Sequence, residues 1–193
     1  MDRAFDYGSE GYRFDSCRAR IFSKVRLALF CRADILLYML PDYTFHEAMM
    51  REALKQARLA ISRDEVPVGA VIVHGTQVIG RAYDQVELLK DPTAHAEMIA
   101  ITQASNFLAS KWLQDCVMYV TIEPCSMCAG ALVLARLKKV FFGAKAPKTG
   151  ACGSVINIPG NKILNHQVEI EGGLLKDECG AVMSEFFKKK RKK

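Results

Sequence analysis

Residues 91–97 read DPTAHAE and residues 120–130 read VTIEPCSMCAG, and these two stretches taken together decide the fold. His95 supplies an imidazole, and Cys125 and Cys128 supply two thiols. Such donors suit Zn²⁺, and a site with only three protein ligands keeps a fourth position for water, as a catalytic zinc requires. Cys125 and Cys128 stand three residues apart at the predicted start of a helix, so both sulfurs project the same way and the helix N-terminus favours their thiolates. Glu97, two residues after His95, does not share a helix face with it, so its carboxylate is expected to carry protons at the site without binding the ion. His46, His74, His166 and the other cysteines stand at no recognisable spacing that would close the site with a fourth ligand.

The pattern around these stretches alternates strands and helices. Thr44 and Glu47 form a capping box, and Met50, Leu54, Ala57 and Ile61 follow at helical spacing. Residues 66–73 and 78–83, rich in β-branched and apolar side chains and separated by His74-Gly75-Thr76, read as a hairpin, with His74 an exposed turn residue. After the Asp91-Pro92 stop, Thr93 is expected to cap a helix running to about Asn106, with His95 and Glu97 in its first turn. The apolar run 116–122 reads as a buried strand, ending where Glu123-Pro124 allows a helix over 126–136. A strand at 140–143, a loop through Gly160, a short strand at 168–170 and a helix from about Leu174 complete the pattern. That last helix would bury Leu175, Cys179, Val182 and Phe186. The expected fold class is α/β, in three layers around a mixed sheet of about five strands.

The H-x-E and P-C-x-x-C pairs are similar to the signature of the cytidine and deoxycytidylate deaminase superfamily. The flanking stretches 65–73 (EVPVGAVIV), 91–97, 120–130 and 142–150 (FGAKAPKTG) resemble bacterial tRNA-specific adenosine deaminases, from about residue 43 to the C-terminus. The resemblance implies a cytidine-deaminase-like α/β/α fold. It also implies one Zn²⁺ per subunit on His95, Cys125 and Cys128, with Glu97 as the catalytic proton carrier. The implied reaction is hydrolytic deamination of adenosine to inosine at the wobble position in the anticodon loop of tRNA. A cytoplasmic homodimer, in which one subunit helps to hold RNA for the other, is implied as well. Substrate contacts are expected from Asp84, Val68 and Ala96. At Asp84 the chain departs from the family, whose matching asparagine lines the nucleoside pocket. Two readings stay open beside this one: a deaminase of a free base or nucleoside, guanine or cytosine, and a non-catalytic zinc-stabilised RNA-binding module.

The 193 residues include 27 basic and 21 acidic side chains, and six of the basic ones are consecutive in the tail 188–193. The excess charge therefore sits wholly in the tail, read either as a solvated end or as a phosphate-binding run. Behind Phe187, on whose ring a base could stack, Lys188 and Arg191 are candidate contacts to nucleic acid. Seven irregularly spaced cysteines argue against a secreted disulfide framework. The zinc domain is expected over 43–187, preceded by a segment, 1–42, with seven basic and six acidic residues. That segment reads as neither a membrane span nor a signal or transit peptide. It is expected to be an appendage or the product of an upstream start, with Met39 as the initiator.

Overall fold

The computed structural model describes residues 42–191, so the expectations for residues 1–41, the Met39 initiator included, lie outside the described residues. The elements in order are α1 (Asp42–Ser62), β1 (Gly69–His74), β2 (Gln77–Tyr83), α2 (Val86–Leu89), α3 (Ala96–Leu108), β3 (Cys116–Ile122), α4 (Ser126–Leu134), β4 (Lys139–Ala144), β5 (Glu169–Gly172) and α5 (Lys176–Lys190). The strands form one five-stranded sheet in the order β2-β1-β3-β4-β5. β1 is antiparallel to both β2 and β3, whereas β3, β4 and β5 are parallel, so the sheet is mixed as expected.

Strand alternation builds two cores from one sheet. Ala70 and Ile72 of β1, Met118 and Val120 of β3, and Val140 and Phe142 of β4 pack with Ala96, Ala100 and Ala104 of α3 and with Ala129, Leu132 and Val133 of α4. The intervening residues Val71, Val73, Tyr119 and Phe141 point the other way, onto Met49, Met50, Ala53 and Leu54 of α1 and Cys179 of α5. Helices on both faces make three layers. The approach of α1 is close enough that a Cβ on Gly69 would run into the Ala53 carbonyl and the Ala57 amide. Within this layer the Tyr119 hydroxyl pairs with His46 Nδ1 at 2.7 Å, and Tyr119 stacks on Phe141 with ring centroids 5.2 Å apart.

Several boundaries differ from the expected ones for local reasons. α1 begins at Asp42, which puts Thr44 inside the first turn rather than at the cap. β1 begins at Gly69 because Pro67 has no amide to give the ladder and the Val68 amide bonds back to the Val66 carbonyl at 2.7 Å. The short helix α2 carries no sequence signal that announces it. Thr93 does not cap α3: its amide and hydroxyl both donate to Asp91 Oδ1, at 2.8 and 2.7 Å, and the cap position falls to His95. α3 continues to Leu108 and stops at Ala109, whose left-handed φ of 48° turns the chain. α4 ends at Leu134, just before Arg136 adopts a φ of 53°. α5 starts at Lys176, after Leu175 in the left-handed region, and runs to Lys190, so the basic run begins inside a helix. Of its expected apolar face, Cys179 and Phe186 are buried and Leu175 and Val182 half-buried. Among the described residues no helix is long and apolar enough to cross a membrane.

Candidate active site

The two quoted stretches meet where α3 and α4 begin. His95 is the N-cap of α3 and Cys125 the N-cap of α4, both in extended conformation, so each side chain leaves the backbone where a helix points its free amides. His95 Nδ1 lies 3.7 Å from Cys125 Sγ and 3.5 Å from Cys128 Sγ, and the three ligand atoms all fall within 4.8 Å of one another. Donors at about 2.0–2.3 Å from a tetrahedral ion stand about 3.5–3.8 Å apart, so the spacing fits Zn²⁺. Among the described residues this is the one His/Cys/Asp/Glu group placed to hold a metal. His46 is engaged with Tyr119, His166 Nε2 with the Leu137 carbonyl at 2.7 Å, and His74 is exposed at the end of β1.

The protonation of this cluster also suits a cation. Hydrogen bonds from Cys128 and then His95 push the Cys125 thiol down to about 3, while the bond to Cys125 raises His95 to about 9. Cys128 is pushed upward, first by its bond to Cys125 and then by burial. A divalent cation held here would be bound by thiolates and a neutral imidazole, so its binding would release the protons these donors otherwise carry.

Glu97, in the first turn of α3, is 4% exposed, and its Oε2 is buried with no hydrogen-bond partner among the described residues. Burial first, and the neighbouring Asp84 carboxylate second, push its carboxyl up to about 7. A buried carboxylate oxygen without a partner is costly, and one aimed into a reaction site is available to take and release a proton.

With Cys128 buried behind them, His95, Cys125 and Glu97 line a cavity of about 660 Å³, large enough for a nucleoside. It opens at the carboxyl ends of the parallel strands β3 and β4, where α/β sheets place their ligands. Asp84, His95, Glu97 and Cys125 line it at one end, Val66, Val68 and Ile122 form apolar walls, residues 145–149 make one side, and Met183, Phe187 and Lys190 of α5 close another. Of the expected substrate contacts, Asp84, Val68 and Phe187 line this cavity. Ala96 is fully buried and offers its amide to Asp84 rather than its side chain to the cavity. Lys188 and Arg191 line an adjoining groove of about 420 Å³ with Ser184 and with Met183 and Phe187, which also line the cavity.

Asp84 is 5% exposed, and its Oδ1 accepts the Ala96 amide at 2.8 Å, capping α3 from outside the helix. Burial raises its carboxyl to about 6, although the Ala96 bond and His95 pull the other way. Two further buried carboxylates escape a reading of the sequence alone. Glu65 accepts the Glu87 amide at 3.0 Å and the Leu88 amide at 2.6 Å, tethering α2 to the cavity wall. Glu123 holds the loop after β4 through the amides of Ala146, Cys152 and Ser154. The available signal is an acid within two residues of a proline, in EVPV and in TIEPC, and only Glu123 stands at the end of an apolar run.

The fold and the site together define a deaminase, and the family model for MafB19-like deaminases matches residues 44–191. A tRNA-specific adenosine deaminase of Bacillus subtilis (strain 168) is 45% identical over 150 residues, which cover 78% of this chain and 93% of that protein. One of Aquifex aeolicus (strain VF5) is 49% identical over 145 residues, covering 75% and 95%. The chain belongs to the family of tRNA-specific adenosine deaminases. Among solved structures, a tRNA:A34 deaminase studied for A-to-I editing at the wobble position is 38% identical and superposes with a TM-score of 0.68, over 70% of this chain and 98% of that one.

Proposed function

We propose that this protein converts adenosine to inosine at the wobble position of tRNA by hydrolysis, with one Zn²⁺ per subunit on His95, Cys125 and Cys128. One observation carries the reading: His95 and Cys125 of the three-donor metal group line a nucleoside-sized cavity together with Glu97, whose Oε2 has no hydrogen-bond partner among the described residues. Zn²⁺ held there supplies Lewis-acid activation of a water molecule at neutral pH. Glu97 Oε2 takes a proton from the attacking water and hands it to the ring nitrogen beside C6, and then serves the departing amine. Adenosine and water become inosine and ammonia. A carboxyl poised near 7 suits a group that must both accept and donate.

Val68 and Ile122 would flank the base, and the Phe187 ring at the rim would stack on an unpaired nucleotide. An anticodon loop presents its wobble base already unpaired, which lowers the cost of bringing it into the cavity. The protein acts as a homodimer, supported by the exposed apolar side chains Leu134, Val155 and Ile156. The compartment that fits tRNA and unpaired thiols is the cytoplasm.

The test is incubation of the full chain with tRNA carrying adenosine at the wobble position, followed by digestion and quantification of inosine. Inosine at that one position is expected. Ammonia from free guanine or cytosine with no inosine in tRNA would select the free-base alternative, and bound zinc and RNA without turnover would select the binding module.

A further inference from the structure

Glu123 is a buried carboxylate that the proposed chemistry does not use. It is 3% exposed, lies between β3 and Cys125, and lines the cavity. Its Oε2 accepts the Ala146 amide at 3.1 Å, and its Oε1 accepts the Cys152 and Ser154 amides at 3.1 and 3.0 Å. The Ser154 hydroxyl also donates to Oε2, in a very short contact. All four donors come from one loop, 146–154, whose residues 146–149 form a side of the cavity. The loop is fitted to the carboxylate: a Cβ on Gly150 would meet Glu123 Cδ and Oε2, so only glycine allows the backbone to pass. The same loop is paired to the turn that carries the first cysteine, through a bridge between Cys125 and Gly150 and a bond from the Ala151 amide to the Pro124 carbonyl at 2.8 Å.

We infer that Glu123 is a positioning residue, which holds the loop 146–154 closed on itself and thereby sets the distance between the 146–149 wall and the reacting end of the cavity. A carboxylate is the one side chain that can accept from four donors at two oxygens, and charge-assisted bonds of this kind are stronger than neutral ones. An amide in its place turns one oxygen into a donor facing donors, which opens one side of the clasp. The effect on turnover rests on the deaminase reading, but the effect on the loop does not, so two readouts separate them.

The first readout is amide hydrogen exchange in the full-length protein. In Glu123→Gln the amides of Ala146, Cys152 and Ser154 are expected to lose protection while those of β3 and α4 keep theirs, with zinc still bound. The second is inosine formation in tRNA, where kcat/KM is expected to fall about ten- to a hundredfold, as for a displaced pocket wall. Ser154→Ala, which removes one donor and leaves the carboxylate, is expected to give a smaller loss in the same amides and the same parameter. The two changes combined should cost less than the product of the single effects, because they break one cluster. Unchanged loop protection in Glu123→Gln overturns the inference whatever the activity, as does loss of zinc, which would place the role of Glu123 at the metal ligands. If Glu123→Gln does not fold, Ser154→Ala decides alone: unchanged protection of the loop overturns the inference. Loosened loop amides with no deamination even in the unmodified protein would leave the clasp standing and remove the functional reading instead.

Discussion

At Glu97 and Asp84 two neighbouring carboxylates are buried in different company. Glu97 Oε2 has no partner among the described residues, whereas Asp84 Oδ1 spends a lone pair on the Ala96 amide and so helps to fix the turn that presents His95 and Glu97. Glu97→Ala is expected to abolish deamination and to leave about one zinc per chain, because the carboxylate moves protons and does not hold the ion. Metal analysis beside the inosine assay checks this, and loss of zinc would sink the assignment. At Asp84 the sign of the pH effect follows from the carboxyl being raised from 3.8 to about 6 by burial. The folded state then holds a proton that the unfolded chain has released, so the contribution is full below the unfolded value and is lost as pH rises through 6. Asp84→Asn keeps an oxygen for the Ala96 amide and removes the cost of the buried charge. It is expected to be more stable than the parent above about pH 6 by on the order of 1–3 kcal/mol, the advantage shrinking toward about pH 4. Adenosine deamination should rise in the same variant at neutral pH, since an amide can donate to a purine nitrogen where an ionised carboxylate cannot. Melting curves and inosine yields from about pH 5 to about pH 8.5 measure both. Equal behaviour of the two proteins across that range would refute both the buried charge and a substrate contact at Asp84.

Among the elements, the packing of α1 on β1 and the charge carried by α5 each make a measurable claim. The Gly69 position leaves no room between strand and helix, and the obstacle is backbone, which cannot rotate away. Gly69→Ala is therefore expected to cost about 1–3 kcal/mol and to lower the melting temperature by several degrees, with the metal site intact. A calorimetric scan of the zinc-loaded variant measures it, and an unchanged melting point would show that α1 shifts freely. The last turn of α5 divides its cations between two tasks. Lys190 Nζ is 3.3 Å from Asp64 Oδ1, tying the helix end to the segment after α1, while Lys188 and Arg191 face a groove. Replacing only Lys188 and Arg191 by Gln spares the tie to Asp64. The double variant is expected to bind tRNA more weakly, with the salt slope reduced by about 0.7–0.9 for each phosphate that is no longer neutralised. An unchanged slope would make this turn a solvated surface.

For the whole molecule, the metal group joins parts of the chain that are distant in sequence. His95 belongs to a helix packed on β1 and β2, and Cys125 and Cys128 to one that follows β3, so an ion held between them ties the two helices of one layer together. Metal-binding free energy is then partly folding free energy. Cys128→Ala is expected to lose zinc, activity and thermal stability together, and a chelator added to the parent protein is expected to lower its melting temperature in a zinc-reversible way. Retained zinc with full activity in Cys128→Ala would refute the ligand set. The surface ion pair between Arg51 and Glu178, at 3.0 Å between α1 and α5, is exposed on both sides and is expected to contribute only about 0–1 kcal/mol beside this.

The layered fold and the metal group are legible in the chain because each is written in local spacing. Short continuous apolar runs at 116–122 and 140–143 specify strands covered on both faces, and the C-x-x-C pair on a helix start specifies two sulfurs on one side. His95 is readable by chemistry, although its place at the cap of α3 is not, because Thr93 is drawn off by Asp91 and Asp84 arrives from beyond another strand. Pairings between residues far apart in sequence are decided only by the tertiary structure. Glu65 reaches the amides of Glu87 and Leu88, and Glu123 reaches across to the loop at 146–154; nothing in either neighbourhood names those donors. The same holds for Phe187, which comes to the cavity wall only because α5 lies against β3 and β4, at whose carboxyl ends the cavity opens. A side chain's type and spacing fix what it can bind, but the partner that satisfies a buried charge is set by whichever backbone the fold brings within hydrogen-bond reach, and that is a property of packing.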